Sequence, residues 1–177
     1  MGMATSRLTK TDWLHAGFDA LKAKGPHALA AEPLARRMGT TKGSFYWHYK
    51  DVPAYHAALL AKWRADALER VMEQLIATGA PDQQLRDFGQ AILADEVEAS
   101  LRIWAQNNAD VAGVLAEVDA ERLGYLTFLL KKMGLRNENF ARALQAALIG
   151  LPQYAPGDDG LQNTAFETLI DTVLALN

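Results

Sequence analysis

Helical periodicity runs through nearly the whole chain and is broken at short glycine- and proline-bearing points. These are Gly25-Pro26, Gly39, the run Gly79-Ala80-Pro81-Asp82, Gly134 and the stretch "APGDDG" at 155–160. Strand signals are almost absent between them. The pattern confines the chain to an all-α fold of about nine helices, with no fixed-period repeat and no low-complexity tract.

Cap residues and breaks place the helices. The first starts with Thr9 or Thr11 as N-cap and carries Leu14, Phe18 and Leu21 at spacings of four and three. Gly25 closes it and Pro26 blocks its continuation. A short second helix is expected over about 31–38, with Pro33 in its first turn, where no N–H is needed. A third spans 42–49 behind Thr40 or Thr41. Asp51 caps a long fourth helix that reaches about residue 78. Asp82 is expected to cap the fifth, which bears Leu85, Phe88, Ile92 and Leu93. A short segment at 99–108 precedes a long helix with Val111, Leu115, Val118, Tyr125, Leu129 and Met133 on one stripe. Asn137 or Asn139 caps the next helix, and the last carries Phe166, Leu169, Ile170, Val173 and Leu174.

Composition narrows the function classes. The 177 residues suffice for one sizeable domain or two small ones, and half of them are apolar. Cysteine is absent, which excludes a disulfide framework and a thiolate metal site. No secretory-type leader and no apolar run of membrane-spanning length is present, so a cytoplasmic protein is expected. Residues 1–50 carry eight Lys and Arg against three acids, a net +5, while the remainder carries ten against eighteen, a net −8. A basic end on an acidic body suits contact with a polyanion, and it also suits a plain solvated face. No nucleophile–base pattern, HExxH or phosphate-cradling glycine loop marks an enzyme. The acid pairs Asp95-Glu96 and Asp158-Asp159 read as solvated surface. His15, His27, His48 and His56 lack a helical ligand spacing, so neither metal nor other cofactor is expected.

One stretch concentrates the information. In "TTKGSFYWHYKD", at 40–51, four of the fifteen aromatic Phe, Trp and Tyr residues fall in five consecutive positions. One helical face cannot bury them all. Phe45 and Tyr49, four apart, share a face with apolar partners in Leu34 and Met38. Tyr46, Trp47 and His48 turn progressively away from it. Short helices joined through Gly39 frame a helix-turn-helix, in which Ala35 permits close approach and Gly39 tolerates a left-handed turn. The later helix of such a motif enters the major groove. Thr40, Thr41 and Ser44 can then donate to phosphate, Lys42 and Lys50 supply charge, and Gly43 permits close approach to DNA.

The segment "LARRMGTTKGSFYWHYKD" resembles the DNA-binding segment of TetR-type transcriptional repressors, specifically over 28–60 and loosely over 7–67. The resemblance implies a DNA-binding domain at 7–67 and a helical effector-binding and dimerisation domain at 68–177. It maps Thr41, Lys42, Gly43, Ser44, Tyr46, Trp47 and His48 onto the recognition helix, and Lys50 with the start of the next helix onto a phosphate clamp. It implies a homodimer that binds a palindromic operator and is released by a small-molecule effector. Ala30 stands where a Ser or Thr cap is usual, and Glu32 and Val52 stand where basic or polar residues commonly meet phosphate. Glu32 and Val52 favour the alternative, a helical effector-binding or interaction protein with weak or lost specific DNA binding.

For the effector pocket the resemblance points to the body, with Trp63, Phe88, Ile92, Trp104, Asn107, Tyr125 and Phe128 as candidate linings. Arg122 falls on the apolar stripe and either anchors an acidic effector or pairs with Asp119 or Glu121. The implied dimer interface lies on the last two helices, with Leu144, Ala147, Leu148, Leu151, Phe166, Ile170 and Val173. Ala143, Ala146 and Gly150 are small enough for close approach; a packed monomer core is the other reading of these residues.

Overall fold

The structure is a computed structural model and describes residues 8–175. Among these residues nine α-helices and one 3-10 turn are formed, with no strand. Helix α1 (Lys10–Lys24), a 3-10 turn (Pro26–Leu29), α2 (Ala31–Arg37) and α3 (Lys42–His48) form the N-terminal end. The body comprises α4 (Val52–Ile76), α5 (Pro81–Leu93), α6 (Glu96–Ala105), α7 (Ala109–Lys132), α8 (Glu138–Tyr154) and α9 (Asp159–Ala175).

Local chemistry sets the ends. Thr9, rather than Thr11, caps α1 through a full capping box with Asp12. That contact holds the Asp12 carboxyl below its ordinary range, chiefly through the Thr9 hydroxyl and then the Thr9 N–H. Thr41, not Thr40, caps α3, and Asp51 caps α4. The turn between α2 and α3 is a Schellman closure. Gly39 sits at φ 65°, its N–H donates to Arg36, and the Thr40 N–H donates to Ala35 at 2.9 Å.

Three boundaries differ from expectation. Residues after Gly25-Pro26 form a 3-10 turn rather than a plain break. Asp82 lies inside the first turn of α5, and Ala80 is its N-cap without a side-chain bond. Helix α6 begins at Glu96 instead of near residue 99 because the Asp95 side chain accepts the Glu98 N–H. Asp95 also receives Arg70 at 2.8 Å, so it is a structural acid and not solvated surface.

Apolar side chains gather in two clusters. The first joins α1, α2, α3 and the first half of α4 to α6 and the start of α7, through Trp13, Phe45, Tyr55, Trp63, Leu101, Trp104 and Val118. The second joins the rest of α4 and α7 to α5, α8 and α9, through Val71, Phe88, Leu126, Leu144, Phe166 and Ile170. The division cuts across both long helices. It does not follow the expected boundary near residue 67, since α6 and the start of α7 pack into the same core as the helix-turn-helix.

Where the clusters meet, four charged side chains neutralise each other. Glu98 and Arg122 are each 3% exposed. Arg122 donates to both Glu98 oxygens, at 2.9 and 2.7 Å. Arg102 bonds Glu98 and grips Asp119 with two nitrogens, at 3.0 and 2.7 Å. Two cations and two anions, each multiply bonded, satisfy the rule that buried charge be paired. Arg122 therefore pairs across to α6 and not with Asp119 or Glu121 as the sequence suggests.

Candidate functional site

The exposed face of α3 is built on a buried underside. Phe45 is fully buried, edge-on to Trp13 at 5.4 Å between ring centroids and to Tyr55 at 5.2 Å. Tyr49 is buried too, and its hydroxyl donates to the Lys10 carbonyl. Burial pushes the Tyr49 hydroxyl up. The Tyr55 hydroxyl, donating to the Trp13 carbonyl at 2.8 Å, is pushed up by burial and then by Tyr49. Gly17 makes that contact possible, because a Cβ there would lie 1.9 Å from the Tyr55 hydroxyl. The underside thus ties α3 to α1 and α4.

The outer side carries Tyr46 at 46% and Trp47 at 65% exposure. His48 is half-buried between them and the core, with its ring 4.8 Å from Trp47 and 6.3 Å from Trp13. Lys42 lies over the Tyr46 ring at 5.9 Å, and Lys50 is exposed just beyond the helix. Thr41 and Gly43 are exposed, while Thr40 and Ser44 are half-buried. The Thr41 oxygen accepts the Ser44 N–H, which leaves its hydroxyl hydrogen available to an outside acceptor. All nine residues singled out from the sequence therefore lie on α3 or its flanks. Two of the three departures have explanations in the fold. Ala30 provides no side-chain cap. Exposed Glu32 pairs with Arg36 at 3.1 Å. Val52 packs against the first core cluster.

The eight expected pocket residues do not line one cavity. Phe88, Ile92 and Arg122 border a space of about 240 Å³ with Arg70 and Gln74. Trp104 borders a separate cleft of about 630 Å³ between α4 and α7. Trp63 is buried beneath the Arg122 guanidinium, Tyr125 packs edge-on to Phe88 at 4.7 Å, Phe128 is exposed under Lys132, and Asn107 is exposed. Sequence reasoning missed His56, whose Nε2 lies 3.3 Å from the Leu29 carbonyl and whose ring meets Trp104 edge-on at 5.0 Å. Its place one turn after the Asp51 cap was the available signal.

Of the expected interface residues, Leu144, Leu148, Phe166, Ile170 and Val173 are buried in the chain's own second core, a correction to their reading as partner-facing. Ala147 and Leu151 are half-buried against it. The outward face of α8 and α9 instead shows Ala143, Ala146, Tyr154, Leu161 and Leu169. A Cβ on Gly150 would meet nothing within 4 Å.

This geometry coincides with a known pattern. Residues 14–51 match the family model described as bacterial regulatory proteins, tetR family. Over that segment the chain is similar to the N-terminal part of TetR-family regulators. The described residues have the fold of TetR-family regulators. A transcriptional regulator from Rhodococcus sp. Rha1 superposes with a TM-score of 0.79 at 20% identity, over 95% of this chain and 97% of that one. A TetR-family regulator from Rhodococcus sp. gives 0.75 at 17%, over 93% and 98%. SmeT, the repressor of the Stenotrophomonas maltophilia multidrug efflux pump SmeDEF, gives 0.69 at 17%, over 96% and 90%. No curated protein matches the chain.

Proposed function

We propose that the chain is a DNA-binding transcriptional repressor that acts as a homodimer on a palindromic operator and is released by a small molecule. The observation that carries the reading is the two-sided α3: Phe45 and Tyr49 anchor it, while Tyr46, Trp47 and Lys42 stand outward on a net-basic end of the chain. In this reading Tyr46 and Trp47 meet base edges or thymine methyls, and Thr40, Thr41, Lys42, Ser44, His48 and Lys50 meet phosphate or flank it. A Cβ on Gly43 would meet the Thr41 hydroxyl at 3.7 Å, an ordinary contact, and Gly43 is exposed, so a duplex backbone can approach. The dimer forms through the outward face of α8 and α9, where Ala143, Ala146 and Gly150 permit close packing. Residues 7–67 serve DNA and 68–177 serve the effector and the partner, although the two share a core.

The test is a footprint on the DNA flanking the chain's own gene at two salt concentrations. A palindromic footprint and a steep salt slope are expected. Affinity no greater than for random DNA overturns the reading. Sedimentation of Ala146→Arg against the unaltered chain checks the dimer: loss of a dimeric species is expected, and an unchanged sedimentation profile removes that face from consideration.

A further inference from the structure

The cleft between α4 and α7 has a chemical bias. It holds about 630 Å³, a size that suits a small organic ligand. Ala57 and Ala61 make the room, and Leu60, Val114 and Trp104 give it apolar walls. Its polar groups include the Asn108 amide, a donor because its oxygen accepts the Val111 N–H, and several acceptors. His56 faces the Leu29 carbonyl, which can only accept, so Nε2 carries the ring proton. Burial lowers the His56 pKa, the Leu29 bond opposing it, so the ring is neutral near pH 7 and Nδ1 is left as an acceptor. The Arg64 guanidinium is taken up by Glu117 across the cleft. Asp110 lines the cleft and makes no ion pair among the described residues. Arg64 and Glu117 thus neutralise each other, and exposed Asp110 is the remaining carboxylate of the lining.

We propose that this cleft is the effector site and that it takes an aromatic body bearing a protonated amine, with the ammonium toward Asp110 and His56 Nδ1 and the ring against Trp104 and Leu60. The proposal rests on the reading of the chain as a ligand-responsive regulator and specifies the site and ligand class. Its readout is built in. His56 lines the cleft and also holds Leu29, the residue that ends the 3-10 turn ahead of α2. A ligand that recruits His56 acts through the Leu29 contact and shifts the 3-10 turn and α2 relative to α4.

Calorimetric titration of the full chain with 1-naphthylmethylamine, 1-naphthylmethanol and 1-naphthoate tests it. The amine should bind at least about tenfold tighter than the alcohol, and the acid weakest, as expected for a charge-assisted contact. Asp110→Asn should reduce amine affinity by roughly tenfold. Ala57→Trp, at an exposed position that narrows the cleft, should abolish it without lowering the melting temperature. Naphthoate binding as tightly as the amine, amine binding indifferent to Ala57→Trp, or no amine binding overturns the proposal. Operator binding is measured separately without added amine. Intact operator binding with no amine binding sinks only the cleft, and amine binding without operator binding sinks the regulator reading.

Discussion

Glu98 and Arg122 illustrate what single residues contribute and what a one-dimensional reading misses. On α6, Glu98 and Arg102 are four apart and look like an ordinary surface pair. Only the packing of α7 against them buries Glu98 and brings in Arg122 and Asp119. Arg122→Met should cost about 3–5 kcal/mol in chemical denaturation, because it leaves a buried carboxylate short of a partner. Adding Glu98→Gln should recover part of that loss, since Arg102 keeps Asp119. A loss below about 1 kcal/mol for the single change would show the pair to be solvated. At α3 the sequence is more informative, because the angle between Phe45 and Tyr46 follows from helical geometry alone. Tyr46→Ala should weaken operator binding while the melting temperature hardly moves, whereas Phe45→Ala should cost about 3–5 kcal/mol. A large drop in melting temperature for Tyr46→Ala would assign that ring to the core. Glu32→Gln frees Arg36 and removes a charge that repels phosphate; operator affinity should rise roughly two- to fivefold, the range of an exposed pair. Unchanged affinity would place α2 away from the duplex.

At the scale of helices, most of the fold was legible from caps and breaks. Thr41, Asp51 and Asn137 each accept a backbone N–H where a helix begins. The start of α6 was not legible, because Asp95 next to Glu96 resembles solvated acid until Arg70 is seen beside it. Close approaches between helices were equally hidden. Gly89 on α5 looks like an ordinary weak point in a helix, yet a Cβ there would lie 1.9 Å from the Phe166 ring on α9. Phe166 is fully buried and cannot move aside. Gly89→Ala should therefore destabilise by about 1–3 kcal/mol, against the gain that alanine brings to an open helix position. Thermal unfolding checks the sign, and a stabilised variant would mean that α5 and α9 are less closely packed than described.

Across the whole molecule, the salient fact is the pair of cores that divides both long helices. The charge asymmetry and the motif marked the N-terminal end as the candidate for meeting DNA, but not that α6 and the start of α7 belong to that end's core. Periodicity records which face of a helix is apolar and says nothing of which neighbour covers it. His56 also acts at this scale, lying on α4 between the helix-turn-helix and the cleft that holds Arg64, Asp110 and Glu117. Its pKa is lowered in the folded chain from the ordinary 6.5, so the unfolded chain binds the proton first as pH falls. The stability His56 contributes is present above about pH 6.5 and is lost as pH drops below it. Thermal unfolding between about pH 7.5 and 5.5 should show this fall, and His56→Gln should flatten it. An equal fall in the variant would assign the effect to other groups.

The shared first core has a consequence for how such chains recombine. An exchange of DNA-binding ends between two relatives, joined at residue 67, would set Trp13, Tyr55 and Trp63 of one parent against Leu101, Trp104 and Val118 of the other. Specificity could be transplanted cleanly only by a donor segment that is discontinuous in sequence, carrying α6 and the beginning of α7 along with the reading head. Drift on the outer face of α3 is free of that constraint, so under the proposed function new operators are reached more readily by surface substitution there than by shuffling whole ends.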